Sequence, residues 1–166
     1  MATTLPVPIT FELPDGWRSA PPDSVGAPGV SFVAVYSRSD AGFAANISIT
    51  GEFRQDDASL SEFADASLQR MRAVAESVEV VDRREVGSTD APGLTQMMRF
   101  SAVAAGTRRD LVQSQVYLSL LDTDDPRKRA VLQLTLTATA SQHESVVQDF
   151  QDFVRSVRPE TEGTTS

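Results

Sequence analysis

The spacing of apolar residues changes along the 166-residue chain, and this change constrains the fold more than any other feature. An alternation of apolar and polar residues predicts a half-buried strand, whereas recurrence at three- and four-residue steps predicts an amphipathic helix. Alternation predicts strands over residues 9–13, 30–36, 43–53, about 78–87, 93–104, 107–121 and 130–140. The helical spacing predicts two helices, over residues 59–76 and 142–157.

This order of elements, three strands, a helix, four strands and a helix, predicts an α+β fold. Local turns such as Pro14-Asp15-Gly16 join successive strands, so we expect one largely antiparallel sheet of about seven strands. The Pro- and Gly-containing stretch over 18–29 predicts an irregular loop. We expect a single domain over 1–159 and a disordered polar tail over 160–166.

Both predicted helices begin with the spacing of a capping box, in which a Ser and a Glu satisfy each other's backbone amides. The first box runs from Ser59 to Glu62, and the second from Ser141 to Glu144. His143, the single histidine, lies inside the second box, so we predict a solvated residue in the first helical turn. One histidine also excludes metal sites that require several.

Charge and composition exclude several classes of function. The net charge is −8 and the 15 basic residues are scattered among acidic ones, so we expect no nucleic-acid partner. No apolar run approaches about 18 residues, so we expect no membrane span. The first eight residues lack the basic and apolar regions of a secretory signal, which predicts a cytoplasmic protein.

No motif for catalysis or for a cofactor is visible. The chain has no cysteine, so disulfides and thiolate chemistry are excluded. The acidic stretch from Asp122 to Asp125 lacks the glycine and the glutamate that a calcium loop requires at its sixth and twelfth positions. Neither a nucleophile elbow nor a glycine-rich phosphate loop appears. We therefore expect no enzyme, no cofactor and no tightly bound metal.

Trp17, the single tryptophan, has two interpretations. It follows the Pro14-Asp15-Gly16 turn, a position typical of a plug at the edge of the core with its indole N–H near the surface. Tryptophan is also enriched where proteins bind partners, so the ring is a candidate anchor for a partner or a ligand.

In the predicted strands over 107–121 and 130–140, most of the side chains that point to one face are polar and uncharged. The opposite face carries apolar residues such as Leu118 and Leu134, which we expect to face a helix. One interpretation is a solvated sheet face, or a face partly covered by the first helix. The other is a surface for a protein or a polar ligand, which could be changed without emptying the core. The candidate partner-binding residues are Gln113, Gln115, Tyr117, Gln133 and Thr135, together with Trp17.

The segment from Ile9 to Trp17, which ends in Pro-Asp-Gly-Trp, and the order of the predicted elements resemble the LpqN lipoprotein family of actinobacteria. The preference for arginine over lysine also fits a GC-rich actinobacterial genome. The resemblance covers roughly residues 7–158 and implies the PsbP-like fold, an antiparallel sheet between helices. The chain lacks the family's signal sequence and lipid-bearing cysteine, so we do not extend the resemblance to a lipoprotein role.

The resemblance and the absence of catalytic motifs together favour a non-enzymatic protein-binding module, such as an adaptor, a chaperone-like factor or an accessory subunit. The alternative is a carrier of a small ligand, with a pocket between the 18–29 loop, Trp17 and the sheet. The identity of the partner and the oligomeric state stay open at this point.

Overall fold

The computed structural model describes residues 9–21, 31–40, 42–54, 59–87, 92–104, 106–121 and 129–159. The strands are β1 (Ile9–Thr10), β2 (Trp17–Ala20), β3 (Phe32–Asp40), β4 (Phe43–Arg54), β5 (Glu76–Gly87), β6 (Pro92–Ala104), β7 (Thr107–Leu121), β8 (Arg129–Thr139) and β9 (Arg158–Pro159). The helices are α1 (Leu60–Val74), between β4 and β5, and α2 (His143–Ser156), between β8 and β9.

Seven strands form one antiparallel sheet in the order β2-β3-β4-β8-β7-β6-β5. Neighbours in sequence pair as hairpins except at the centre, where β4 lies beside β8. This central pairing joins β2, β3 and β4, which precede α1, to β5, β6, β7 and β8, which follow it, in one sheet. The predicted α+β fold, with about seven antiparallel strands and two main helices, is confirmed.

The first predicted strand is not part of the main sheet. The predicted strand over 9–13 is reduced to β1, which pairs with β9 outside the main sheet. Phe11 and Leu13 instead pack as partly buried side chains against the core beneath α2, with the Phe11 and Phe153 ring centroids 5.1 Å apart. The apolar alternation there reflects core packing without strand pairing.

The strand that completes the sheet is β2, at the start of the predicted 18–29 loop. Gly16 adopts a φ of +90°, a backbone conformation that glycine tolerates well, and the chain turns there into β2. Trp17 then pairs with Tyr36 of β3. Residues 22–30 lie outside the described part of the chain, as do the predicted tail over 160–166 and residues 122–128, which include the acidic stretch.

Helix α1 begins with the predicted capping box. The Glu62 backbone N–H donates to Ser59 Oγ at 3.2 Å, and the Ser59 N–H donates to Glu62 Oε2 at 2.8 Å. The helix packs on β5, β6 and β7. Its buried side chains are Leu60, Ala64, Ser67 and Leu68.

Helix α2 packs on the other face of the sheet, but its predicted capping box is wrong. Its N-cap is Gln142, whose side chain makes no capping bond. The Gln142 N–H donates to the carbonyl and to the hydroxyl of Thr139, at 3.1 and 3.2 Å. The tight turn that leaves β8 thus supplies the acceptors for this amide and moves the helix start past Ser141. Buried apolar side chains of α2 are Val146, Phe150 and Phe153.

Candidate binding site

The predicted polar surface is buried where α1 crosses the sheet. Gln115 is 1% exposed and Tyr117 is 2% exposed, so the prediction that these residues form an accessible face is wrong. The other interpretation, partial cover by the first helix, describes what the structure shows. The sequence pattern separates the two faces of a strand, but it does not say which face a helix covers.

Hydrogen bonds explain how a helix can cover polar side chains. Gln115 Nε2 donates to Ser67 Oγ of α1 at 2.9 Å, and Gln115 Oε1 accepts from the Tyr117 hydroxyl at 2.9 Å. Gln96 Nε2 donates to the Ala64 carbonyl at 3.2 Å and to Gln115 Oε1 at 3.1 Å. Buried polar groups are tolerated when they are paired in this way. The glutamines therefore hold α1 on the sheet.

The same network reaches the surface through β5. Arg83 Nε donates to Gln96 Oε1 at 2.7 Å, and Arg83 Nη1 contacts Asp65 of α1 at 2.7 Å. Burial raises the pKa of the Tyr117 hydroxyl, so this group stays protonated as a hydrogen-bond donor. The arrangement is structural, because its polar atoms are used within the fold.

The remaining predicted residues of this face lie on β7 and β8. Thr135 is buried, whereas Gln113 and Gln133 are half-buried. Gln113 donates to Thr137 at 3.1 Å, and Gln133 donates to Thr135 at 3.3 Å. The structure thus keeps these residues on one sheet face, where the Gln113 bond joins β7 to β8 and the Gln133 bond lies within β8.

Trp17 lies on the opposite face and belongs to the core beneath α2. It is 8% exposed, its ring centroid is 5.0 Å from that of Tyr36, and its Nε1–H donates to Asp149 Oδ2 of α2 at 3.0 Å. These contacts match the core-plug interpretation. Trp17 is therefore not brought together with Gln115 and Tyr117 on one surface.

The α2 side of the sheet carries a cleft that the sequence did not predict. It is a partly open cavity of about 520 Å³ between α2 and the strands β5, β6 and β7, and we call it the α2 cleft. Its apolar lining comprises Val86, Met97, Val116, Leu118, Val147, Phe150 and Val154. Its charged lining comprises Asp82, Arg84 and Arg155.

The cleft follows from the relative sizes of helix and sheet. Seven strands about 4.8 Å apart span about 29 Å, whereas a helix with its side chains is about 10–12 Å across. Because α2 packs on the central strand β8, it leaves apolar side chains of the strands β7, β6 and β5 partly uncovered. Leu118 is one of these: its position in the alternation predicts a helix-facing residue, yet it remains half-buried.

Exposed ion pairs flank the cleft on two sides. Arg84 Nε lies 3.0 Å from Asp82 Oδ2 on β5, and Arg155 Nη1 lies 3.4 Å from Asp152 Oδ1 on α2. Exposed pairs of this kind contribute little to stability. They give the apolar cleft a polar rim in which positive and negative charges are balanced.

A serine of the cleft contacts the single histidine. Ser114 Oγ, on β7, lies 3.0 Å from His143 Nε2 at the start of α2. His143 is 8% exposed, so the prediction of a solvated residue is wrong. Burial lowers the pKa of the imidazole, and the positive charge of Arg99 lowers it further, against an opposing effect of Glu144. At neutral pH the ring is therefore neutral.

The described residues contain neither a cluster of metal-ligating side chains nor a membrane-spanning helix. Within those residues, no group of three or more His, Cys, Asp or Glu side chains is placed to hold a metal ion. In the same part of the chain, no helix has the length and apolar character to cross a membrane.

Comparison with solved structures gives likenesses over most of the chain at low sequence identity. LpqN of Mycobacterium tuberculosis, described as involved in cell envelope biogenesis, has a TM-score of 0.62 and 16% identity, covering 93% of this chain and 86% of LpqN. Cyanobacterial PsbP from Synechocystis has a TM-score of 0.56 and 15% identity, covering 92% of this chain and 86% of that protein. The chain has a PsbP-like fold.

A third likeness is to the Ran-binding protein Mog1p of Saccharomyces cerevisiae. Its TM-score is 0.55 at 20% identity, and the match covers 91% of this chain and 89% of Mog1p. No protein-family model and no curated protein sequence matches the chain. At these identities the likeness establishes the fold, and function has to be argued from the site.

Proposed function

We propose that this chain is a non-enzymatic module that binds another protein through the α2 cleft. The observation that carries the proposal is the cleft itself, with its apolar lining and a rim of exposed charges. Protein interfaces gain most of their affinity from a few apolar anchors seated in such concave places, with polar groups around them. One large apolar side chain of a partner would fill part of the cleft.

Two further observations support a binding role. Mog1p, which shares the fold, is described as a Ran-binding protein, and this offers an analogy for a protein partner. The resemblance to the LpqN family gives the same expectation, and we propose that the chain is LpqN-like. A likeness at this identity carries the fold and not the partner, so binding has to be tested at the cleft itself.

The contacts of His143 support the non-enzymatic part of the proposal. A catalytic histidine beside a serine requires a group that orients its second ring nitrogen. His143 Nε2 contacts Ser114, and in the part of the chain that the structure describes no carboxylate bonds to the other nitrogen. We therefore interpret the pair as a contact that fastens the start of α2 to β7.

The experiment selects random octapeptides displayed on phage against the immobilised protein and measures the affinity of the selected peptides in solution. Val147→Trp places a large ring in the cleft and should weaken binding at least about tenfold. Gln148→Trp is the matched control, since Gln148 is the exposed next residue of α2 and does not line the cleft. It should leave the affinity within about twofold of the original.

A second blocking variant guards against misfolding of the first. Thr95→Phe fills the cleft from β6, where an aromatic residue suits a strand. Equal binding by the original protein and by both folded cleft variants would refute the proposal, and so would recovery of no binding peptide.

A small-ligand carrier remains a second candidate because of one measurement. The cavity of about 520 Å³ lies within the roughly 300–1,000 Å³ typical of small-molecule sites. This candidate now concerns the α2 cleft, since most of the 18–29 loop lies outside the described residues. Native mass spectrometry of the purified protein tests it: a retained small molecule that Val147→Trp displaces would favour the carrier.

A further inference from the structure

Within the part of the chain that the structure describes, the sheet ends at β5, a strand of 12 residues whose one neighbour in the main sheet is β6. The outer edge of such a strand presents a row of backbone N–H and C=O groups that another extended chain can pair with. The opposite edge of the sheet, β2, has four residues and offers a much shorter row.

Only part of β5 presents a regular edge. Its pairing with β6 shifts register between Glu76 and Glu79 and again between Val80 and Asp82, and Ser77 has a φ of +55°. Such bulges bend a strand and interrupt its pairing. Residues 82–87 pair with residues 97–92 with no further shift, and we call this stretch the β5 edge segment.

The β5 edge segment also forms one wall of the α2 cleft. Asp82, Arg84 and Val86 line the cleft, whereas the alternate residue Arg83 points to the other face, where it bonds Gln96 and Asp65. A strand added beside this segment would therefore place every second side chain next to the cleft. The Arg83 contacts fix the segment to α1 and β6 before any partner arrives.

The side chains of β5 argue against a second copy of this chain as the added strand. A two-fold axis perpendicular to the sheet keeps each face of a strand on the same side, so the second β5 would present Asp82, Arg84 and Val86 on the side of the cleft. None of these three is a large apolar side chain that would fill the cleft. A different chain meets no such restriction.

We propose that the β5 edge segment accepts an extended peptide from a partner protein, which adds a strand to the sheet and inserts a large apolar side chain into the α2 cleft. This inference rests on the proposed function and names the partner's chemistry. Backbone hydrogen bonds to the edge supply affinity that depends little on sequence, and the cleft supplies the preference for an apolar residue. Side chains at every second position of the peptide then face the cleft, and those between them face the other side of the sheet.

The test uses the octapeptides selected on phage, resynthesised in two N-methylated series. One series methylates the odd-numbered amides and the other the even-numbered amides. An added strand directs alternate amides toward β5, so one series should lose at least about tenfold in affinity while the other stays within about threefold. Equal loss in both series, or no loss in either, would overturn strand addition.

Hydrogen exchange supplies an independent measurement. Binding of an unmethylated peptide should slow exchange at least about tenfold for the amides of residues 82–87 that face away from β6, and should leave β2, the other edge, unchanged. No slowing in residues 82–87 would overturn strand addition. If Val147→Trp still weakens binding in that case, the cleft proposal stands alone; if it has no effect either, both proposals fail.

Discussion

Tyr117 is held through both its ring and its hydroxyl. The ring lies in the apolar cluster beneath α1 with Leu94 and Val131, and the hydroxyl donates to Gln115. Tyr117→Ala should lower the free energy of unfolding by about 3–5 kcal/mol, as for other large buried aromatic residues. Tyr117→Phe keeps the ring and should cost about 1 kcal/mol, the net value of one hydrogen bond. Urea denaturation measures both.

These two substitutions also test where the face lies. A Tyr117→Ala variant as stable as the original protein would mean that the side chain is accessible, as the sequence pattern allowed. The expected loss instead means that Tyr117→Ala changes the stability of the fold, so it cannot serve as a test of binding.

His143 makes stability depend on pH. Its folded-state pKa is lowered below the ordinary value of 6.5, so the unfolded chain binds the proton more tightly. The contribution of the neutral ring to the free energy of unfolding is present above pH 6.5, and it is lost as the pH falls through 6.5 toward the folded-state pKa. The groups that set this shift are Arg99 on β6 and Glu144 on α2, in addition to burial.

His143→Gln removes this titration, since an amide is neutral at both pH values. Between about pH 8 and about pH 5, the urea midpoint of the original protein should fall further than that of His143→Gln. Carboxylates titrate in both proteins, so the effect of His143 is the difference between the two decreases in urea midpoint. Equal falls would contradict a buried, neutral His143.

At the scale of the element, the two helices begin differently. The Ser59 hydroxyl accepts the Glu62 amide, whereas the side chain of the α2 N-cap, Gln142, makes no capping bond. Ser59→Ala should therefore cost about 1 kcal/mol of stability, the usual value of an N-cap. Ser141→Ala is the matched control and should cost less, within about 0.5 kcal/mol. Equal losses in thermal or urea unfolding would contradict the assigned caps.

The whole molecule is organised around β8, the central strand of the sheet. Leu134, in the middle of β8, is fully buried beneath α2. Leu134→Ala should lower the free energy of unfolding by about 2–5 kcal/mol through the cavity that it leaves. Val103→Ala on β6 is the control, because Val103 is 67% exposed and should cost about 0.5 kcal/mol or less. Comparable losses would place the core elsewhere.

The order and type of most elements could be predicted from the sequence, because periodicity is a local property. Alternation and helical spacing each depend on residues within one segment, so β3 to β8 and both helices lie close to their predicted ranges. The Ser59 capping box is equally local. Local patterns were insufficient at β1, where Phe11 and Leu13 alternate as in a strand but pack against the core without pairing.

Tertiary structure alone decided which face each helix covers and where a cleft remains. Polar side chains on one face of a strand, such as Gln115 and Tyr117, are typical of a solvated face. Here α1 covers them, because Gln115 bonds Ser67 directly and is linked to the Ala64 carbonyl through Gln96. His143 is buried because the turn after β8 brings it to Ser114, 29 residues away in sequence. The α2 cleft exists because one helix is narrower than the sheet that it covers. Each of these depends on contacts between distant segments, which no local spacing of residues records.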